Sequence, residues 1–169
     1  IRLVPLSTEE RFAALQSGRI DVLVRQSSFS LRRDSVQQTR LITPTFYDGH
    51  SFMVPTPRKD AGVAGLAGKR ICLGRGSSNA ATTQELFAAK GKPFTPLLLA
   101  RPADMLDALV DGRCDAIGHD ASALAAIRTL LPQPEAFSIL PEYFSKEALG
   151  PMIRQGDQEW FDVVRWLIM

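Results

Sequence analysis

RICLGRGSSNAATTQELFAAKGKPFTPLLLARPADMLDALVDGRCDAIG, residues 70–118, is the stretch that decides the fold. Arg70–Leu73 reads as a short strand and Gly74-Arg75-Gly76-Ser77-Ser78 as the turn that follows it. Asn79–Lys90 reads as a helix, ended by Gly91-Lys92-Pro93, because proline cannot continue one. Thr95–Leu99 predicts a second strand, Pro102–Asp111 a helix stopped by Gly112, and Cys114–Gly118 a third strand. Ala121–Leu131, mostly alanine, leucine and isoleucine, continues as a helix, and Ser138–Leu140 as a fourth short strand. Strands alternating with helices imply βαβ units, and therefore a mostly parallel sheet covered on both faces. The right-handed crossover rule leaves few topologies for it.

Working outward, Pro55-Thr56-Pro57-Arg58-Lys59-Asp60 reads as a linker, since neither proline fits a helix interior or a central strand. Before it, Gly49–Val54 is strand-like and is reached through Thr43-Pro44-Thr45-Phe46-Tyr47-Asp48. Nearer the start, Ser7 and Glu10 form a capping box ahead of a helix carrying Phe12 and Leu15, which Gly18 stops. A strand is expected at Ile20–Val24. Gly156-Asp157-Gln158-Glu159 opens a last helix bearing Trp160, Phe161, Val164, Trp166 and Leu167. There is also an internal echo. Ala14-Leu15-x-x-Gly18-Arg19-Ile20-Asp21 recurs as Ala108-Leu109-x-x-Gly112-Arg113-Cys114-Asp115. Read as more than coincidence, the echo means two similar α/β lobes with the proline-rich stretch between them. Ligands of open α/β sheets bind beyond the carboxyl ends of the strands, which directs attention to 25–33 and 118–122.

Composition narrows the function classes. The 169 residues are 45% hydrophobic and 22% charged, with a formal net charge of +2, enough for a packed core and far from the profile of a disordered chain. No apolar run approaches the ~18 residues of a membrane span. A two-charge excess without a Lys/Arg block is a weak basis for nucleic-acid binding. His50 and His119 lack metal-ligand spacing, and no Gly-x-Ser-x-Gly elbow is present, so neither a metal site, a cofactor nor a nucleophilic enzyme is expected. The chain opens at Ile1 without Met and stops at Trp166-Leu167-Ile168-Met169, so both ends look cut from something longer.

Three segments carry candidate chemistry. Ser77 and Ser78 sit where a strand gives way to a helix, a place that suits a small carboxylate and equally suits simple N-capping. Ser27-Ser28-Phe29-Ser30-Leu31-Arg32-Arg33-Asp34 combines hydroxyls with guanidinium groups that match a carboxylate bidentately, or forms a solvated basic turn. Asp120 would accept from a ligand ammonium, cap the helix at Ala121, or do both. Cys72 and Cys114 would bond in an oxidising compartment if their strands are neighbours, and would be two buried thiols in the cytosol.

These segments together resemble the family 3 solute-binding proteins of polar amino-acid ABC transporters. Within that family the chain is most similar to the general L-amino-acid-binding branch. The resemblance rests on Arg11-Phe12-x-Ala14-Leu15-Gln16-Ser17-Gly18-x-Ile20-Asp21, on Tyr47-Asp48-Gly49-x-x-Phe52-Met53-Val54-Pro55, and on Gly112-Arg113-Cys114-Asp115. Asp120-Ala121-Ser122-x-Leu124, Leu140-Pro141-Glu142, Ser145-Lys146-Glu147, Leu149-Gly150-Pro151 and Gly156-Asp157-x-x-Trp160-Phe161 extend it.

The resemblance implies a periplasmic, two-lobed α/β binding protein of type II, closing on one L-amino acid and delivering it to an ABC permease. By position, Arg33 would pair with the ligand α-carboxylate, helped by Ser28 and by Ser77-Ser78, while Asp120 would take the α-ammonium. Cys72 and Cys114 match a disulfide pair in this branch. The family's opening strand, helix and strand, and the segment beyond the last tryptophan, have no counterpart here. The expected domains are therefore a lobe 1 remnant with the first crossover (1–54), lobe 2 (55–154) and a return segment (155–169). A truncated lobe would expose strand edges, which predicts a homodimer with exchanged elements. Two other functions fit the same residues. One is a lobe repurposed for protein interaction or signalling. The other is a dehydratase of this fold, for which only Asp48, Asp120 and the two histidines offer an acid or base.

Overall fold

A computed structural model describes all 169 residues. In chain order the elements are α1 (Glu10–Gln16), α2 (Leu31–Ser35), β1 (Thr39–Leu41), β2 (Phe46–Asp48), β3 (His50–Pro55) and β4 (Arg70–Gly74). They continue as α3 (Ser78–Ala89), β5 (Thr95–Leu99), α4 (Pro102–Val110), β6 (Ala116–Asp120), α5 (Ala121–Arg128) and β7 (Phe137–Ile139). The last three are β8 (Glu147–Leu149), β9 (Met152–Arg154) and α6 (Gln158–Ile168). The chain divides into two compact units, Ile1–Tyr47 with Glu147–Met169, and Asp48–Lys146.

The larger unit, Asp48–Lys146, is built on a five-stranded sheet in the order β5-β4-β6-β3-β7. β4 runs parallel to both β5 and β6, whereas β3 runs antiparallel to β6 and β7. The sheet is thus mixed rather than simply parallel. Four strands share one direction and β3 opposes them, because β3 enters directly from the other unit instead of through a βαβ crossover. Successive side chains on a strand face opposite ways, and two separate cores result. Met53, Cys72 and Ile117 face one side, where Met105, Ala108 and Leu109 of α4 and Leu124 and Ile127 of α5 cover them. Phe52, Val54, Ile71, Leu73 and Ala116 face the other, against Phe87 of α3 and Leu66. Both faces are covered, as the apolar strands demand.

The expected linker at 55–60 is instead a 3₁₀ helix, Thr56–Ala61. Proline is at home in its first turn, and the Thr56 hydroxyl contacts the Glu135 carbonyl at 2.8 Å and Ser138 Oγ at 3.0 Å. The third strand starts at Ala116, so Cys114 lies in the approach to β6 rather than within it. Cys72 and Cys114 form a disulfide across 42 residues. The expected domain limit at 54/55 falls inside β3, while the compact units part at Tyr47/Asp48 and Lys146/Glu147.

In the other unit β1 pairs antiparallel with β9, matching Arg40 to Ile153 and Leu41 to Met152. Alternation again gives each face a helix. Met152 packs with Phe12, Leu15 and Leu23 beside α1, and Ile153 packs with Ile42, Phe161 and Val164 beside α6. The capping box forms as the sequence predicts, with the Ser7 N–H donating to Glu10 Oε2 (3.0 Å) and the Glu10 N–H to Ser7 Oγ (3.2 Å). The strand expected at Ile20–Val24 is a single bridge, Leu23 to Met152, since neighbouring Val24 points into solvent at 80% exposure. No helix of the chain is long and apolar enough to cross a membrane.

Candidate functional site

In the smaller unit, Ser28 and Arg33 come together. Ser30 caps α2 by accepting the Arg33 N–H at 3.3 Å, and this turn folds the Arg33 side chain back over the segment before it. There its Nη1 donates to the Ser28 carbonyl, and the guanidinium lies 4.8 Å from the centre of the Phe12 ring. The Thr39 hydroxyl donates to the Arg33 carbonyl at 2.9 Å, fixing the helix end. Arg33 and Ser28 are both buried, at 6% exposure. The Ser28 hydroxyl donates to the Glu147 carboxylate, so Ser28 links a buried cation to a buried anion. Burying such charges is costly unless they are hydrogen-bonded, and each is. Glu147 was named in the sequence only as part of a longer motif, and no spacing rule would have joined it to Ser28.

The larger unit holds the other three expected residues. Ser77 caps α3. Its Oγ accepts the Ala80 N–H (3.3 Å) and donates to the Gly74 carbonyl (2.6 Å), while Ser78 is the first helical residue. Asp120 closes β6 and is 5% exposed. It stands at the N-cap position of α5 yet makes no side-chain capping bond. Capping falls to Asp48, whose Oδ2 accepts the Ser122 N–H (3.2 Å) and hydroxyl (2.5 Å), while its Oδ1 accepts the Gly49 N–H (2.8 Å). The capping explanation for Asp120 is therefore removed, and the residue that does the capping sits in Tyr47-Asp48-Gly49, far away in sequence.

Asp120 is held from another direction. Asn79, the second residue of α3, donates from Nδ2 to Asp120 Oδ1 at 2.9 Å. The Asn79 carbonyl accepts from the Thr83 hydroxyl (2.8 Å), and Thr83 Oγ1 lies 2.9 Å from His50 Nε2. Thr83 has one proton and gives it to Asn79, so His50 supplies the N–H to Thr83 Oγ1. His50 lies directly opposite Asp120 in the β3–β6 ladder and packs edge-on to Phe52 at 4.7 Å. Asn79 Oδ1 is buried and has no hydrogen-bond partner, a cost of about 1–3 kcal/mol. Neither Asn79 nor Thr83 was singled out from sequence. His119 lies next to Asp120, where its Nδ1 accepts the Asp120 N–H at 2.8 Å. No cluster of three or more His, Cys, Asp or Glu side chains is placed to hold a metal ion.

The chemistry of the two units is thus a buried guanidinium with hydroxyls in one, and a buried carboxylate near a helix N-terminus in the other. Comparison with known proteins gives this a context. No family model matches the chain. Over 169 residues it is 40% identical to the glutamate/glutamine/aspartate/asparagine-binding protein BztA of Rhodobacter capsulatus, covering 98% of this chain and 49% of that protein. The chain is homologous to amino-acid ABC transporter-binding proteins. It is also 36% identical to the general L-amino acid-binding periplasmic protein AapJ of Rhizobium johnstonii, over 98% of this chain and 49% of that one. Among solved structures, an ABC transporter/periplasmic binding protein from Brucella ovis with glutathione bound superposes with a TM-score of 0.89 at 35% identity, covering 98% of this chain and 52% of that one. The chain spans about half the length of the curated relatives it matches. The fold is that of type II periplasmic binding proteins, and the Cys72–Cys114 disulfide belongs to this chain's version of it.

Proposed function

We propose that this chain is the amino-acid-recognising portion of a periplasmic solute-binding component of an ABC uptake system, and that it binds its ligand without turning it over. The observation that carries the reading is the separate burial of Arg33 and Asp120, an obligate cation and an acid that ends a β-strand. An α-amino acid presents one carboxylate and one ammonium, and these two residues complement them. Arg33 takes the carboxylate, helped by the hydroxyls of Ser28, Ser77 and Ser78, of which Ser28 and Ser77 would turn from Glu147 and the Gly74 carbonyl to its oxygens. Asp120 takes the ammonium.

The relatives' names fit this chemistry, since glutamate, glutamine, aspartate and asparagine share that head group, and so does the γ-glutamyl end of the glutathione held by the Brucella protein. A disulfide-bonded core suits an oxidising periplasm, and an ABC permease is the partner that the reading implies. The compact units are read as a second lobe and part of a first. Calorimetry and thermal shift of the full chain against L-glutamate, L-glutamine, L-aspartate, L-asparagine, L-arginine and glutathione test the proposal. A shift with at least one supports it, and silence with all six sinks it. A second reading, association of two copies, is favoured by the outer face of α6, where Val163, Trp166 and Leu167 are exposed. A monomer by light scattering at micromolar concentration removes that reading.

A further inference from the structure

Asn79 is placed against its own interest. It is 3% exposed and its Oδ1 has no partner, while its Nδ2 supplies the hydrogen bond that Asp120 Oδ1 accepts. Its amide cannot be turned round to repair this, because Asp120 is a pure acceptor when ionised and requires the Nδ2 side. The donor half of the amide is therefore what the position demands. Thr83 strengthens the same arrangement from one turn further along α3, donating to the Asn79 carbonyl at 2.8 Å, with His50 Nε2 2.9 Å behind it. His50 comes from the strand that pairs with Asp120 itself. A chain of hydrogen bonds thus runs from β3 through α3 to Asp120 at the end of β6. Local conflicts with good packing concentrate at functional positions, and this one ends on the carboxylate assigned to the ligand ammonium.

We infer that Asn79 is a positioning residue for amine recognition, holding one oxygen of Asp120 so that the carboxylate meets a ligand ammonium in a fixed orientation. This rests on the reading of Asp120 given above. Thr83 and His50 in turn fix the helix start that carries Asn79. A preorganised carboxylate loses less freedom when the ligand arrives, so the benefit appears in affinity for the amine and in nothing else the ligand carries.

The test compares each amino acid with its des-amino counterpart, L-glutamate with glutarate and L-glutamine with glutaramate, on the wild-type chain and on Asn79→Ala and Asn79→Ser. A thermal double-mutant cycle with Asp120→Ala accompanies it and needs no ligand. The expected result is a loss of about tenfold in affinity for the amino acid in Asn79→Ala, the scale of one hydrogen bond to a charged group. The des-amino compound should change by no more than about twofold, Asn79→Ser should recover part of the loss through its hydroxyl, and the cycle should be non-additive. Equal losses for both ligands, or an additive cycle, overturn the inference and leave the proposed function standing. Binding of neither amino acid while the cycle stays coupled reduces Asn79 to a structural tether. The inference then falls together with the assignment of Asp120.

Discussion

The same eight-residue pattern occurs once in each unit, and its two copies fold alike but are held very differently. At Ala14–Asp21 the N–H groups of Ser17, Gly18 and Ile20 donate to the carbonyls of Ala13, Leu15 and Ala14 at 2.9, 3.3 and 3.2 Å. At Ala108–Asp115 the N–H groups of Asp111, Gly112 and Cys114 donate to Asp107, Leu109 and Ala108 at 2.9, 3.2 and 3.1 Å. Gly18 and Gly112 both adopt positive φ, 77° and 67°. Each copy is clasped by an arginine from a strand, Arg154 reaching the Leu15 and Ile20 carbonyls and Arg70 the Gly112 carbonyl. Beyond this the copies part. Cys114 is locked to Cys72, whereas Ile20 merely packs beside Met152's cluster. The Asp115 side chain is 16% exposed and contacts Arg58 and Arg70, while Asp21 is 73% exposed and reaches only Arg154 at 3.5 Å. Local sequence therefore writes the turn, and tertiary partners decide how much depends on it.

The largest predicted break in the comparison is the disulfide. Closing a 42-residue loop stabilises by about 4 kcal/mol in the chain-entropy model, all of it in the Asp48–Lys146 unit. Cys72→Ala with Cys114→Ala should lower the melting temperature strongly. In hydrogen exchange the amides of β4 and β6 should lose protection far more than those of β1 and β9. Equal loss in both units would mean that the two copies of the turn are not independently supported.

The next effect separates the two aspartates. Burial pushes the Asp115 carboxyl up, but hydrogen bonds from the Arg58 guanidinium, the Arg70 N–H and the Arg70 guanidinium outweigh it and hold the group below its ordinary value. Asp115→Asn should cost about 1–2 kcal/mol, discounted because both arginines are half exposed. The sign of its pH dependence follows from the lowered value. The stabilisation is complete above about pH 5, where the unfolded carboxyl is almost fully ionised, and is lost as pH falls through the folded value. Urea melts of wild type and variant should therefore converge below about pH 4. Asp21→Asn, the control from the other copy, should stay within about 0.5 kcal/mol at neutral pH.

What the sequence revealed follows the reach of its signals. The strand–helix alternation from Arg70 to Asp120, the capping box at Ser7 and the turn at Gly112 are written in neighbouring residues, and each forms in the expected order, with only the third strand starting two residues late. The direction of β3 is not local, since it depends on where the chain enters the sheet. The prolines at 55 and 57 mark the end of a strand and the start of a 3₁₀ helix equally well as a linker, and only the contacts to Glu135 and Ser138 decide between them. At the candidate site, residue types pointed to Ser28, Arg33, Ser77, Ser78 and Asp120. The bonds that hold them and their surroundings, Ser28 with Glu147, Asp120 with Asn79, His50 with Thr83 and Ser122 with Asp48, act across 119, 41, 33 and 74 positions, and no periodicity encodes such pairs.

The smallest effect should be the most even between the copies. A side chain at φ 77° or 67° is strained whatever space surrounds it, and alanine at either glycine should cost about 1 kcal/mol. A Cβ at Gly112 would meet nothing within 4 Å, and one at Gly18 would meet only Arg154 Nη1 at 3.8 Å, an ordinary contact. Sterics therefore add nothing to tell the two apart. Gly18→Ala and Gly112→Ala measured by denaturant unfolding should agree to within a few tenths of a kcal/mol, in contrast with the aspartates three positions later. A markedly larger cost at Gly112 would show that the disulfide at Cys114 stiffens the turn itself and resists its adjustment. The backbone of the two copies would then differ in compliance even though their hydrogen bonds match.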